Sequence, residues 1–263
     1  MLRVLSALRY EPVDLIPSFL FKLPPTLNGN TGEAADWVVA ELLPKIRRRG
    51  TARFADLAWD TNPDLTPYFD RYLQTAREMG FGCKIHADQQ SPAEAIEMAL
   101  RHRVVSIDHL EHCTGAGAAQ LAGADIITAL LPCAGFNKSC AAPARELIEA
   151  GVAVALGTNF NPHHTPTLNM QSVVTMACWR LGMSIEEALS AATFNSAHVL
   201  GCADRVGSLE PGKSADLVLL NTSDYRDLCG NLGTNLVHFT MKRGKVIYQE
   251  GPVAPRAVEV LTQ

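Results

Sequence analysis

Residues 143–162 read PARELIEAGVAVALGTNFNP, and this stretch decides the fold class. Its first eight residues have the composition of a helix, and Gly151 suits the left-handed position that commonly ends one. The apolar run VAVAL follows at once and reads as a strand buried on both faces. Such strands belong to parallel sheets, whose two faces are covered by helices. The stretch therefore predicts one unit of an α/β sheet.

The same alternation extends along most of the chain. We predict strands at residues 12–19, 52–59, 82–87, 104–110, 125–131 and 152–158. Helical stretches are predicted at residues 34–48, 65–79, 91–101, 115–121, 142–150 and 168–181. Because parallel strands need a long crossover between them, usually a helix, this order predicts a parallel sheet.

The character of the sequence changes after Leu200. A predicted helix at residues 185–200 is followed by a sequence that glycines interrupt at several positions. It contains two predicted strands, at residues 215–221 and 237–248. The second candidate contains Arg243-Gly244, a plausible hairpin turn. We therefore predict two domains, an α/β part over residues 1–206 and part of a small β domain over residues 207–263.

Composition excludes several classes of protein. Hydrophobic residues make up 47% of the 263 residues and charged residues 19%, which is typical of a globular chain and not of a disordered one. The net charge of −4 does not indicate the excess of basic residues that binds nucleic acid or an anionic membrane. The apolar runs are far shorter than the roughly 18 residues of a membrane span. We expect a small-molecule substrate as the partner, with a homodimer as the assembly.

The seven cysteines form no CxxC pair and are odd in number. Most lie within stretches of apolar residues, where a free cysteine behaves as a small hydrophobic side chain. A disulfide framework is unexpected in a chain of this size, so we predict a reducing, cytoplasmic compartment. The first residues lack the apolar core of a signal peptide, and we read them as part of an amphipathic helix.

Three of the predicted strands end in ionisable or polar residues. The strings are KIHADQ at residues 84–89, DHLE at residues 108–111 and GTNFNPHH at residues 157–164. Reactive groups of parallel α/β folds lie at the carboxyl ends of the strands, so three such ends together predict a site. His102 instead closes a predicted helix, where we expect a solvent-exposed side chain.

These strings, with ALLP at residues 129–132 and GSLEPGKSADLVLLN at residues 207–221, resemble the imidazolonepropionases of the amidohydrolase superfamily. The resemblance runs from about residue 12 to about residue 249. It implies a TIM-like (β/α) barrel, of which this chain carries about strands 3 to 8, with a small β domain. It also implies one zinc or iron ion and hydrolysis of the ring amide of 4-imidazolone-5-propanoate to N-formimino-L-glutamate.

The resemblance assigns roles residue by residue. His86 matches a metal ligand, Asn159 stands where the family has a metal-binding, catalytic aspartate, and His109 matches the histidine that steers the attacking water. Gln89 and Asn161 match contacts to the ring and to the opened product. His164 lies on the loop at the same mouth and is a further predicted substrate contact. For His163 and His164 we favour a solvated loop pair over a replacement metal ligand.

The sequence departs from the family in its metal ligands. It contains no HxH motif, and a carboxamide replaces the aspartate at Asn159. An amide is a poor ligand for a divalent cation and cannot act as a general base. Two alternatives to the enzyme therefore stay open. The chain could be an inactive paralogue or gene fragment that acts as a binding or assembly subunit, or another cyclic-amide hydrolase or deaminase of the superfamily.

Overall fold

The computed structural model describes residues 2–8, 12–22, 31–59, 63–87, 95–134, 141–162 and 165–251. Six parallel strands form one sheet in chain order, and three antiparallel strands form a second sheet near the carboxyl terminus. The strands of the first sheet are β1 (Ser18–Phe21), β2 (Phe54–Ala58), β3 (Gly82–Ala87), β4 (Ser106–His109), β5 (Ile127–Leu130) and β6 (Val154–Leu156). The predicted α/β class is confirmed.

Helices connect these strands. They are α1 (Leu2–Ala7), α2 (Thr31–Trp37), α3 (Leu43–Arg49), α4 (Thr66–Glu78), α5 (Ala95–His102), α6 (Gly115–Leu121), α7 (Ala144–Glu149), α8 (Met170–Leu181), α9 (Ile185–Ser190), α10 (Ser196–Val199) and α11 (Asp227–Gly230). A π-helical turn, Val38–Leu42, joins α2 to α3, and a second, Ala191–Asn195, joins α9 to α10. Among the described residues, no helix combines the length and apolar composition needed to cross a lipid bilayer.

The parallel sheet does not close on itself. Each strand pairs with its neighbours in sequence, and within the described residues β1 and β6 have a partner on one side only. The expectation of an incomplete barrel is therefore confirmed. The sheet still aligns all six carboxyl ends along one edge, because every pair is parallel.

Local sequence signals explain where elements begin and end. Gly151 follows α7 with φ 83°, the left-handed conformation predicted for it. The Asn169 side chain accepts hydrogen bonds from two backbone N–H groups at the start of α8, and Ser184 forms a capping box with Glu187 at the start of α9.

Five strands of the parallel sheet are shorter than predicted, whereas β3 has the predicted bounds, Gly82–Ala87. Val104, Ile126 and Val152 belong to predicted strands, and each is buried but lies outside the strand that it precedes. Hydrophobic periodicity reports burial, whereas strand bounds depend on ladder hydrogen bonds. The buried core is otherwise continuous across the sheet, with Leu57 and Ile85 fully shielded.

The second sheet contains β7 (Leu217–Leu220), β8 (Val237–Lys242) and β9 (Lys245–Gln249). Arg243 and Gly244, both with positive φ, make the two-residue turn between β8 and β9, as the sequence predicted. Asp14, near the amino terminus, forms ion pairs with Lys242 and Arg243. Residues from both ends of the chain therefore meet at this sheet. The boundary at residues 206 and 207 stays a prediction.

Candidate active site

The register of the parallel strands places four ionisable side chains on one face of the sheet. Asp56 on β2 is level with Lys84 on β3, and His86, two residues further along β3, is level with Asp108 on β4. Side chains two residues apart on a strand share a face, so these groups form two adjacent polar layers. They lie toward the carboxyl ends of three neighbouring strands.

His86 is held between two carboxylates. Its Nδ1 atom lies 3.1 Å from Oδ1 of Asp56 and 3.6 Å from Oδ2 of Asp108. Burial alone lowers the pKa of His86, but the hydrogen bond with Asp56 and the charges of both carboxylates outweigh burial and raise that pKa to about 9. Without a bound ion, His86 is therefore an imidazolium at neutral pH.

The remaining charges of the cluster compensate one another. Lys84 is buried, with its Nζ atom 4.5 Å from the centre of the Phe54 ring, and burial lowers the pKa of this amine. Burial raises the pKa of Asp108, against the charge of His86, while Ser106 donates a hydrogen bond of 2.8 Å to Asp108. Two cations thus lie beside two carboxylates, which is how buried charges are tolerated.

His109 reaches the same cluster through an unusual backbone conformation. Its φ is 81° and that of Leu110 is 62°, values in the left-handed region that bulky residues rarely adopt. The His109 ring lies 5.3 Å from the His86 ring, centre to centre, and its Nδ1 atom is 3.0 Å from Oε1 of Glu111. Strain of this kind is found where a site requires a particular side-chain direction.

Two of the predicted site residues lie after β6. Asn159 is half-buried and has φ 51°, again left-handed. Asn161 forms an isolated antiparallel bridge with Thr165 through two backbone hydrogen bonds of 3.0 and 2.9 Å. In the sheet, β6 is separated from β3 by β4 and β5. Gln89, His163 and His164 lie outside the described residues.

Asp56 was missed by the sequence analysis. It lies inside the strand FADLA, where alternation could have marked it as an acidic residue facing a buried surface.

The expectation for His102 was wrong. Its side chain is buried at the end of α5, and its Nε2 atom lies 2.9 Å from Oδ1 of Asp70 on α4. A helix end is shielded where a neighbouring helix packs over it, which composition alone does not indicate.

The cluster has the donor atoms that a divalent metal requires. Asp56, His86 and Asp108 each offer one nitrogen or oxygen ligand atom, and these atoms lie within 4.8 Å of one another. Imidazole and carboxylate together suit zinc and iron. Histidine ligands commonly donate their second ring N–H to a carboxylate. If His86 donates Nδ1–H to Asp56, Nε2 is left for an ion, and Asp56 then orients the ring and is not itself a ligand. The donor set therefore fits, provided that His86 loses its proton.

The chain is similar in sequence to known proteins. The sequence profile described as "Amidohydrolase family" matches residues 25–248. The imidazolonepropionase of Geobacillus kaustophilus is 38% identical over 246 residues, which cover 92% of this chain and 58% of that protein. That of Symbiobacterium thermophilum is 36% identical over 261 residues, 97% of this chain and 61% of that protein. The chain thus spans about three fifths of the length of these relatives.

Solved structures share the fold at low sequence identity. A zinc-bound adenosine deaminase from Xanthomonas campestris superposes with a TM-score of 0.71 at 19% identity, covering 92% of this chain and 62% of that one. An N-isopropylammelide isopropylaminohydrolase from Burkholderia multivorans gives 0.72 at 18% identity, covering 94% and 66%. At these identities the likeness concerns the fold alone.

Proposed function

The chain belongs to the amidohydrolase family, and on that premise we propose that it is an imidazolonepropionase-like, metal-dependent hydrolase. The reaction would be hydrolysis of the ring amide of 4-imidazolone-5-propanoate to N-formimino-L-glutamate. The observation that carries the proposal is the pairing of His86 with Asp56 at the end of β3, beside His109. The identity of 35–38% to many imidazolonepropionases supports the choice of substrate.

In this proposal His86 holds the metal, and Asp56 fixes the orientation of the His86 ring. When bound, zinc or iron supplies a Lewis acid that polarises the ring carbonyl and acidifies water. Asp108, 3.6 Å from His86 Nδ1, adds negative charge that favours a cation at this place. Because a metal ligand must be deprotonated, we expect metal affinity to increase with pH.

His109 would move the proton. Its Nδ1 atom faces Glu111, so an N–H at that position donates to the carboxylate and leaves Nε2 free to accept. Nε2 would take the proton from water as the water attacks the ring carbonyl. It would return that proton to the ring nitrogen when the C–N bond breaks. Glu111 would stabilise the imidazolium that forms between these steps.

The remaining assignments rest on the resemblance. We propose Gln89, Asn161 and His164 as substrate contacts, and Asn159 as the neutral replacement for a catalytic, metal-binding aspartate. Zinc and iron are equally compatible with the donor set. A cytoplasmic location and a homodimer remain predictions.

A second candidate is a protein of this fold without hydrolytic activity. Asn159 favours it, because an amide at that position can neither bind a divalent ion well nor act as a base. The compensated charges of Lys84, His86 and the two carboxylates favour it as well, because they are stable without an ion. Another cyclic-amide hydrolase or deaminase is the third candidate, since the fold serves several such reactions.

One comparison of variants tests the proposal. We expect His86→Ala to abolish formation of N-formimino-L-glutamate and to weaken zinc binding at least tenfold, because it removes a ligand. His198→Ala, at an exposed position on α10, should change neither quantity. Product formation by mass spectrometry and zinc titration by calorimetry measure the two effects. Unchanged turnover in His86→Ala would contradict the proposal.

Asn159→Asp separates the first two candidates. A restored carboxylate should increase zinc affinity about tenfold or more if Asn159 faces the ion. If the parent chain binds zinc without turnover and Asn159→Asp gains turnover, the chain is the inactive form of an enzyme fold. If neither protein turns over 4-imidazolone-5-propanoate, the proposed hydrolase activity is wrong for this chain, and the second or third candidate applies.

A further inference from the structure

Two cysteine sulfurs are in contact between α8 and α11. The thiol of Cys229 donates a hydrogen bond to Sγ of Cys178 at 3.0 Å, across a sequence separation of 51 residues. A disulfide bond is about 2.05 Å long, so closing one here requires the sulfurs to approach by about 1 Å.

Residues of α8 that precede Cys178 form hydrogen bonds with the segment around Cys229. Thr175 on α8 donates a 2.6 Å hydrogen bond to the backbone carbonyl of Leu228, which precedes Cys229. The Gln171 side chain donates to Asn235 at 3.0 Å and accepts from the backbone N–H of Leu236 at 2.9 Å. The two cysteines therefore stay close in the folded chain and do not depend on a chance encounter.

The other described cysteines are in different surroundings. Cys83 and Cys202 are buried and donate to backbone carbonyl groups, and burial raises the pKa of Cys83 to about 11. Cys133 is buried, and Cys113 donates to the carbonyl of Thr114. Cys178 and Cys229 are both half-buried, as is Cys113.

We propose that Cys178 and Cys229 are a dithiol pair that closes reversibly to a disulfide by exchange with a low-molecular-weight disulfide. Cys229, as thiolate, attacks one sulfur of the reagent, which releases one thiolate and leaves a mixed disulfide. Cys178 then gives up its proton and attacks the Cys229 sulfur, which expels the second thiolate. The two cysteines are oxidised by two electrons, and the reagent is reduced to two thiols.

The surroundings of Cys178 account for this order of steps. Burial, the hydrogen bond with Cys229 and the charges of Glu186 and Glu187 raise the pKa of Cys178 to about 12. Cys178 is thus a thiol at neutral pH and a poor first nucleophile, since the thiolate is the reactive form. It reacts second, because proximity in the mixed disulfide compensates for its low reactivity.

The cross-link joins α8 to the segment that precedes β8. It closes a loop of about 50 residues, a length for which a disulfide stabilises mainly by restricting the unfolded chain. The sequence alone predicts no disulfide and gives no sign of this pair, because Cys178 and Cys229 are distant in sequence and share no motif.

The test counts thiols after controlled oxidation. The full chain is incubated with excess oxidised glutathione, unfolded, alkylated and weighed intact. We expect five alkylated cysteines instead of seven in the oxidised protein, and seven again after treatment with dithiothreitol. Peptide mapping should find Cys178 linked to Cys229, and the Tm of the oxidised form should rise by about 5–10 °C.

Matched variants assign the effect to this pair. Cys178→Ser and Cys229→Ser should each retain all six of their thiols or carry one glutathione, whereas Cys113→Ser should still lose two. The same oxidation of the unfolded wild-type chain shows which links form at random. If the native chain keeps seven free thiols, or gives the same mixture of links as the unfolded chain, the proposal is wrong.

Discussion

Asp56→Ala is expected to lower the free energy of unfolding of the metal-free protein by about 3 kcal/mol at pH 7. The side chain of Asp56 is only 6% exposed, and its carboxylate is the hydrogen-bonded partner of His86. Because the pKa of His86 is raised to about 9, the ring is charged at pH 7 and would lose its nearest counter-charge. Urea denaturation, analysed with a common m-value, measures the loss.

Asp70→Ala is the matched control for this variant. It removes a carboxylate oxygen that lies 2.9 Å from Nε2 of His102 and 3.3 Å from Nη1 of Arg101, and the Asp70 side chain is 37% exposed. A partly solvated partner contributes about 1 kcal/mol or less. Equal losses in the two variants would contradict the role given to Asp56, because the buried Asp56 carboxylate would then stabilise the fold no more than the partly exposed Asp70 carboxylate.

The second large effect is the pH dependence of stability. The folded-state pKa of His86, about 9, lies above the value of 6.5 expected in the unfolded chain. Folding therefore favours the protonated ring, and this contribution is fully present below pH 6.5 and is lost as pH rises through 9. We expect the metal-free protein to lose about 3 kcal/mol of stability over that window from this residue.

His86→Asn isolates the contribution. The variant has no titrating ring between the two carboxylates, so between pH 6.5 and 9 its free energy of unfolding should fall by about 3 kcal/mol less than that of the wild type. Urea denaturation at five or six pH values in the presence of a chelator provides the comparison. Parallel pH profiles for the wild type and His86→Asn would show that His86 is not the group responsible.

Most of the fold was predictable because its signals are local. The run from Pro143 to Pro162 specified helix, left-handed glycine and strand in order, and α7, Gly151 and β6 follow that order. The hairpin at Arg243 and Gly244 was likewise readable from two adjacent residues. The predicted strand ends were less exact. Val104 and Val152 are buried in the core but lie outside the ladder of hydrogen bonds, so their apolar character extended the predicted strands too far.

The candidate site was predictable only in part. His86 and His109 could be found because each stands at the end of an apolar strand, where parallel folds place reactive groups. Asp56 could not be paired with His86 from sequence, because the pair depends on how β2 and β3 are aligned. The positive φ of His109, which brings its ring to His86, has no signature in the sequence.

The sequence by itself thus determined the α/β class, the order of the strands and which of them end in histidine, because periodicity and turn residues act over a few neighbours. Only the tertiary structure decided that His86 lies between Asp56 and Asp108, that His102 is buried, and that Cys178 touches Cys229. Each of these contacts joins residues 30 or more positions apart or depends on packing between elements. Such contacts arise from strand register and helix docking, which are set by the packing of the whole core.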